Sequence, residues 1–152
     1  MAEGRKVVAS NRRARHNYEI LDTFEAGMVL KGSEVKSLRA SQVQLKDAYA
    51  TLQDGELWLE NAHIAPYSYA SSGGHDPERK RKLLLHRREI DRLTGKVHEQ
   101  GLTLVPLQIY FVHGLAKIEI ALAKGRHTYD KRRKLVERQQ KREMDRARSH
   151  RR

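Results

Sequence analysis

The sequence predicts a mainly β protein with short helices, on three observations. Apolar residues alternate in separate short runs, tight-turn dipeptides join some of them, and helical spacing is confined to a few segments. Residues 16–24 place Tyr18, Ile20 and Phe24 on one strand face, with Leu21 on the other. Residues 48–52 and 56–64 flank Asp54-Gly55, a strong hairpin signal. Residues 103–111 alternate Val105, Leu107, Ile109 and Phe111. His113-Gly114 then turns the chain into residues 116–122, where Ile118, Ile120 and Leu122 share a face. Pro106 cannot donate to a sheet ladder, so it implies an edge position or a bulge. Six or so short strands with peripheral α-helices predict a small closed β-barrel of OB-like (oligonucleotide-binding) type, followed by a basic C-terminal tail.

The helices are read from caps and spacing. Asp76-Pro77-Glu78 has the form of an N-cap, a first-turn proline and a first-turn carboxylate, which predicts a helix over 76–84. Residues 87–100 carry Ile90, Leu93 and Val97 on one amphipathic face, with Gly101 as a stop. Residues 33–39, with Val35 and Leu38 three apart, form a short helical insert. Residues 68–75 are small and polar, a surface loop.

Charge sets the class of partner. Of 152 residues, 38% are hydrophobic and 33% charged, with a formal net charge of +12. So large a surplus repels itself in a compact fold and points to a polyanion, nucleic acid first and an anionic membrane surface second. No apolar run approaches the roughly 20 residues of a spanning helix, and the N-terminus leads into polar sequence with no apolar signal core. The absence of cysteine excludes a disulfide scaffold, a thiolate metal site and a cysteine nucleophile. A cytoplasmic protein with no membrane partner is expected. Residues 130–152 hold 11 Lys and Arg against 4 Asp and Glu, a net of +7. The chain thus divides into a barrel over 1–129, whose residues 1–15 are a flexible basic lead-in, and a tail over 130–152. Leu135, Val136, Met144 and Ala147 are too thin a stripe to dock on a core. The tail is therefore expected to be disordered when free and helical when bound.

Several clusters could contact RNA, each with a plainer reading beside it. Asn11, Arg13, Arg15 and His16, in Asn11-Arg12-Arg13-Ala14-Arg15-His16, can reach phosphates and base or ribose edges. The alternative is a solvated lead-in to the first strand. Arg79-Lys80-Arg81-Lys82 followed by Leu83 and Leu84 joins a basic turn to an apolar anchor, or is a snorkelling surface helix over core leucines. On that helix Arg79 and Lys82 would share a face. Glu25, in Phe24-Glu25-Ala26-Gly27, can accept hydrogen bonds from a base N–H edge. The plainer reading is an ion pair to a nearby arginine or the cap of a turn, and on chemistry alone that reading has the greater weight. Lys36, Lys124 and Arg126 complete the candidate RNA-binding cations. No enzyme constellation is visible: the eight histidines lack metal-ligand spacing, and no P-loop or nucleophile elbow occurs. An enzyme, a metal and a cofactor are therefore not expected.

NRRARH over 11–16, FEAG over 24–27, GSEVKSLRA over 32–40, Asp76-Pro77, RKLLLH over 81–86, TLVP over 103–106, ALAKG over 121–125 and Asp130-Lys131-Arg132 stand in order. Together they resemble the small protein B family, the SsrA-binding proteins of bacteria. The resemblance covers residues 11–144. It implies an OB-like barrel that binds the tRNA-like domain of tmRNA, with Asn11, Glu25 and Leu84 in that interface. It also implies delivery to ribosomes stalled without a stop codon. There the tail, with Tyr129, Asp130, Lys131 and Arg132, would enter the small-subunit decoding centre and mRNA channel. Elongation factor Tu would be met through the tmRNA complex, and the protein would act as a monomer. The resemblance reverses the weighting of Glu25 given by chemistry alone. Ala40-Ser41 stands where the family pattern suggests Ala-Gly, which leaves the turn after the short helix in doubt. A generic ribosomal or single-strand-binding barrel with a basic tail is the rival reading.

Overall fold

The computed structural model describes residues 5–67, 74–125, 139–142 and 144. The chain order is β1 (Lys6–Ser10), α1 (Arg12–Asn17), β2 (Tyr18–Met28), α2 (Gly32–Arg39), β3 (Val43–Gln44), β4 (Tyr49–Gln53), β5 (Glu56–Glu60), β6 (His63–Ile64), β7 (Arg81–Leu84), α3 (Arg87–Gln100), β8 (Thr103–Val112) and β9 (Leu115–Gly125). The fold is mainly β with short helices. The main sheet runs β1-β8-β4-β5-β7-β2-β9, and β9 also pairs with β8. Six strands therefore complete a ring, with β1 hung on β8 and β3 paired separately with β6.

Two turns within this ring have the form the sequence predicts. Asp54 and Gly55 have φ of 53° and 74°, and His113 and Gly114 have φ of 50° and 78°. Positive φ at both central residues is the type I′ geometry, whose twist matches that of the flanking strands. Inside the ring Leu57, Leu59, Leu83, Ile109, Ile118 and Ile120 have no measurable exposure. α3 spans the predicted 87–100 and supplies Leu93, with Val97 packed against the same core.

Three expectations need correcting. Residues 6–15 are not a flexible lead-in: β1 pairs with β8, and α1 docks by Ala14, which is 2% exposed. His16 accordingly lies in α1, and the strand that follows runs from Tyr18 to Met28.

The helix expected over 76–84 is absent. Asp76 forms a turn, its Oδ1 accepting from Glu78 N–H at 3.0 Å, and residues 81–84 form β7 between β5 and β2. Local helix propensity loses here to sheet pairing that completes the ring. Arg81 and Leu83 point inward, while Lys82 and Leu84 point outward.

Faces also change along the strands. β2 has a register shift between Ile20 and Asp22, and β8 one between Pro106 and Gln108. The second is the bulge that Pro106 implies. Each inserts one residue and inverts the alternation. Tyr18, Ile20, Val105 and Leu107 therefore join Ala14, Ala121 and Ala123 in a small cluster under α1. Phe24, Ile109 and Phe111 belong to the main core.

The turn after α2 adopts the form that Gly would favour. Ser41 has φ of 56°. Gln42 N–H donates to Ser37 O and Ser41 N–H to Leu38 O, both at 2.9 Å, the hydrogen bonds of a Schellman motif with serine at the left-handed position. A left-handed serine costs roughly 1 kcal/mol, partly offset in a glycine variant by the freer unfolded chain. Ser41→Gly is expected to raise stability by about 0.5 kcal/mol, read as a higher urea midpoint. An unchanged or lower midpoint would show that the position carries no strain.

Candidate nucleic-acid interface

Glu34 and Arg81 settle what the basic run at 79–82 does. Both side chains are 0% exposed. Arg81 Nε donates to Glu34 Oε2 at 2.6 Å, and Arg79 Nη2 donates to Glu34 Oε1 at 2.5 Å. The Lys31 backbone N–H donates to Oε1 as well, at 2.8 Å. Arg81 spends its remaining donors on the carbonyls of Ala62 at 2.7 Å, Pro77 at 3.0 Å and Asp76 at 3.3 Å. Burial pushes the Glu34 carboxyl up, but the hydrogen bonds from Arg79, Lys31 and Arg81 outweigh it and hold the group below its ordinary value. Burial lowers the Arg81 guanidinium, and Glu34 opposes that shift. These two arginines are committed to a carboxylate that ties α2 to β7.

The outer face of the ring carries the remaining candidates. Along β9, Lys117, Glu119, Ala121 and Ala123 point to the same side. Glu25 pairs with Glu119 and Gly27 with Lys117, and Leu84 lies opposite Gly27 on β7. Phe24, Glu25, Gly27, Leu84, Leu85, His86, Glu89 and Lys117 line one shallow depression. Leu84 is 52% exposed there, an apolar contact waiting for a surface and not a core residue. Lys117, which the sequence reading passed over, is brought into the group by its register opposite Gly27. Alternation along 116–122 marks Lys117 as outward, but only the pairing shows what it stands beside.

Further along the same face α1 lies over Ala121 and Ala123, with Arg12, Arg13, Arg15 and His16 exposed. Asn11 has a structural role at its start. Its backbone N–H donates to Leu107 O at 2.7 Å, and its amide donates to Pro106 O at 3.1 Å and Leu45 O at 3.3 Å. It thus fastens α1 to the β8 bulge through both hydrogens of its side-chain amide.

The other predicted cations are scattered. Lys82 points outward two residues before Leu84 and pairs with Glu56 at 3.7 Å. Lys36 lies on α2 with its ammonium 5.3 Å from the Tyr67 ring centroid. Lys124 is exposed near the end of β9, opposite Glu19. Arg126, Tyr129, Asp130, Lys131 and Arg132 lie outside the described residues. Among the described residues no cluster of His, Asp and Glu could hold a metal ion, and no helix is long and apolar enough to cross a membrane.

Among the described residues Glu25 has no arginine partner and caps no turn. It accepts a hydrogen bond from the Tyr110 hydroxyl. Burial, then the hydrogen bond to Glu25, raises the Tyr110 phenol above its ordinary value, so it stays a donor throughout the working pH range.

A strongly basic β-rich protein that sets exposed arginines beside a mixed apolar, acidic and cationic surface belongs to the polyanion-binding class. Residues 8–150 match the family model described as SmpB protein. The chain is 60% identical over 145 residues to the SsrA-binding protein of Salinispora arenicola, covering 95% of this chain and 91% of that one. With the SsrA-binding protein of Acidothermus cellulolyticus the identity is 58% over 144 residues, again 95% of this chain and 91% of that protein. A solved structure described as "tmRNA-SmpB: a journey to the center of the bacterial ribosome" contains a chain 59% identical to it. The match has a TM-score of 0.66 and covers 82% of this chain and 87% of that chain. The chain belongs to the SmpB family.

Proposed function

We propose that this chain is the tmRNA-binding adaptor of trans-translation. It binds the tRNA-like domain and brings it to stalled ribosomes for rescue and tagging of nascent chains. The observation that carries the reading is the juxtaposition of Glu25, Leu84 and Lys117 on the same outer face as the exposed arginines of α1. An apolar side chain meets a base or ribose face, a carboxylate accepts from N–H or 2′-OH groups, and cations neutralise phosphates. SmpB family membership and relatives named SsrA-binding protein support the same assignment.

On this reading the ring of strands is a closed barrel of OB type, the protein works as a monomer in the cytoplasm, and elongation factor Tu is met through the tmRNA complex. The tail over 130–152 enters the small-subunit decoding centre and mRNA channel. At 23 residues it spans about 35 Å as a helix, long enough to extend well beyond the ring. Asn11 supports the α1 surface from beneath, and Lys36, Lys82, Lys124 and Arg126 add phosphate contacts around it.

Truncation after Tyr129 tests the division of labour. The truncated protein is expected to bind the tRNA-like domain near the affinity of the full chain. Its affinity should fall with salt at a log–log slope of roughly 0.7–0.9 per phosphate neutralised. Loss of binding at moderate salt would place essential contacts in the tail. Equal affinity for single-stranded RNA of the same length would return the rival, generic RNA-binding reading.

A further inference from the structure

Glu25 would be a poor recognition group if left alone. It is exposed on a strand, and an unrestrained glutamate side chain loses rotational freedom on binding. Tyr110 removes that freedom. It lies on β8, is 2% exposed, and points to the outer face opposite Lys117. Its hydroxyl reaches past β9 to donate to Glu25 Oε2 on β2. The Arg5 guanidinium lies 3.7 Å from the ring centroid, holding the ring from its other side. Gln108 and Glu119 lie on the same outer face, where the Gln108 amide donates to Glu119 at 3.4 Å.

We propose that Tyr110 is a positioning residue for RNA. Its hydroxyl anchors one oxygen of the Glu25 carboxylate, so the other is presented to the ligand in a single orientation. The ligand group so selected is an N–H or O–H donor, a base edge or a ribose 2′-hydroxyl, because a fixed carboxylate repels phosphate. The inference rests on the reading of the Glu25, Leu84 and Lys117 face as the tmRNA surface. It extends that reading inward to a residue that the RNA never touches. Preorganisation of this kind lowers the ordering cost at the moment of binding.

Tyr110→Phe removes the donor and keeps the ring, its packing and the Arg5 contact. Binding to a tRNA-like-domain fragment at fixed moderate salt is expected to weaken about fivefold to tenfold. The salt slope should be unchanged, since no phosphate contact is removed. In a Glu25→Ala background the same substitution should have no further effect, because the group it positions is gone. Equal losses in both backgrounds would show that Tyr110 acts through the fold, and the proposal would fail. If Tyr110→Phe bound normally while Glu25→Ala did not, the positioning role alone would be lost. Normal binding by Glu25→Ala would overturn the reading of the face itself. If Tyr110→Phe proved unfolded in urea titration, Glu25→Asp withdraws the carboxylate from Tyr110 at an exposed site. Wild-type binding by that variant would equally refute the proposal.

Discussion

A protein carrying Asp130→Ala, Lys131→Ala and Arg132→Ala together is expected to bind tmRNA near the unaltered affinity and to support no tagging of nascent chains on stalled ribosomes. The proposed RNA-binding face comes from β2, β7, β9 and α1, all of which precede residue 126. The tail holds more than half the net charge, and within it Asp130 is the anomaly. A tether held by charge alone gains nothing from a carboxylate, whereas a segment that docks in one register at a decoding site can use one. The discriminating control keeps residues 130–152 at identical composition in scrambled order. Tagging assayed on ribosomes stalled at the end of an mRNA should fail for the scrambled tail. Full tagging would mean that charge suffices, and the ordered-docking reading would be lost. If the triple substitution abolished tmRNA binding too, the separation of body from tail would fail with it.

Glu34→Gln is expected to destabilise the fold by about 3–5 kcal/mol, the range seen when one partner of a buried ion pair is removed. The amide cannot neutralise Arg81, which has no route to solvent at 0% exposure. Arg81→Met should cost more than Arg79→Met, because Arg81 also satisfies the carbonyls of Ala62, Asp76 and Pro77. Arg79, in contrast, is only partly buried. Acid supplies an independent check. Glu34 is held below its reference value of 4.5 in the folded protein. Its stabilising contribution is therefore complete above that value and is lost as pH falls through the lower folded value. Urea midpoints of the parent and Glu34→Gln should stay apart at neutral pH and converge in strong acid. A constant gap down to pH 2 would show that Glu34 charge plays no part.

The contrast between these two sites shows what sequence patterning could and could not reveal. The hairpin turns at Asp54-Gly55 and His113-Gly114, the span of α3 and the inward face of Ile118, Ile120 and Leu122 are local consequences of backbone preference and alternation. They were legible for that reason. β7 was not, because RKLL reads as helix or strand with equal ease and its state is decided by β5 and β2 on either side. Nor was the Glu34 network, which joins residues up to 47 positions apart; from sequence, four successive basic residues look like a solvated patch. The face with Glu25 was legible as residue types through resemblance. Its members Lys117 and Tyr110 required register, since nothing local marks a lysine or tyrosine that sits beside a particular glutamate across the sheet.

Leu21 and Leu107 bear on how such a chain can change length. Each extra residue flips inside for outside in everything beyond it. Upstream of Leu21 the strand serves the cluster beneath α1; downstream it serves the interior of the ring and aims Glu25 outward. Removing Leu21 alone would leave Ile20 opposite Ala123 and Asp22 opposite Leu122, a regular ladder with every face kept, whereas one further residue inserted there would put one of those halves on the wrong side. On the other side of β9, β8 has its own extra residue opposite Ile120 and Glu119. Loss of Leu21 is therefore tolerable, because β2 exchanges its bulge for a regular ladder, while a single-residue gain needs a second bulge to absorb it. The residue at 21 is thus spare length, and the faces on either side of it do not depend on it.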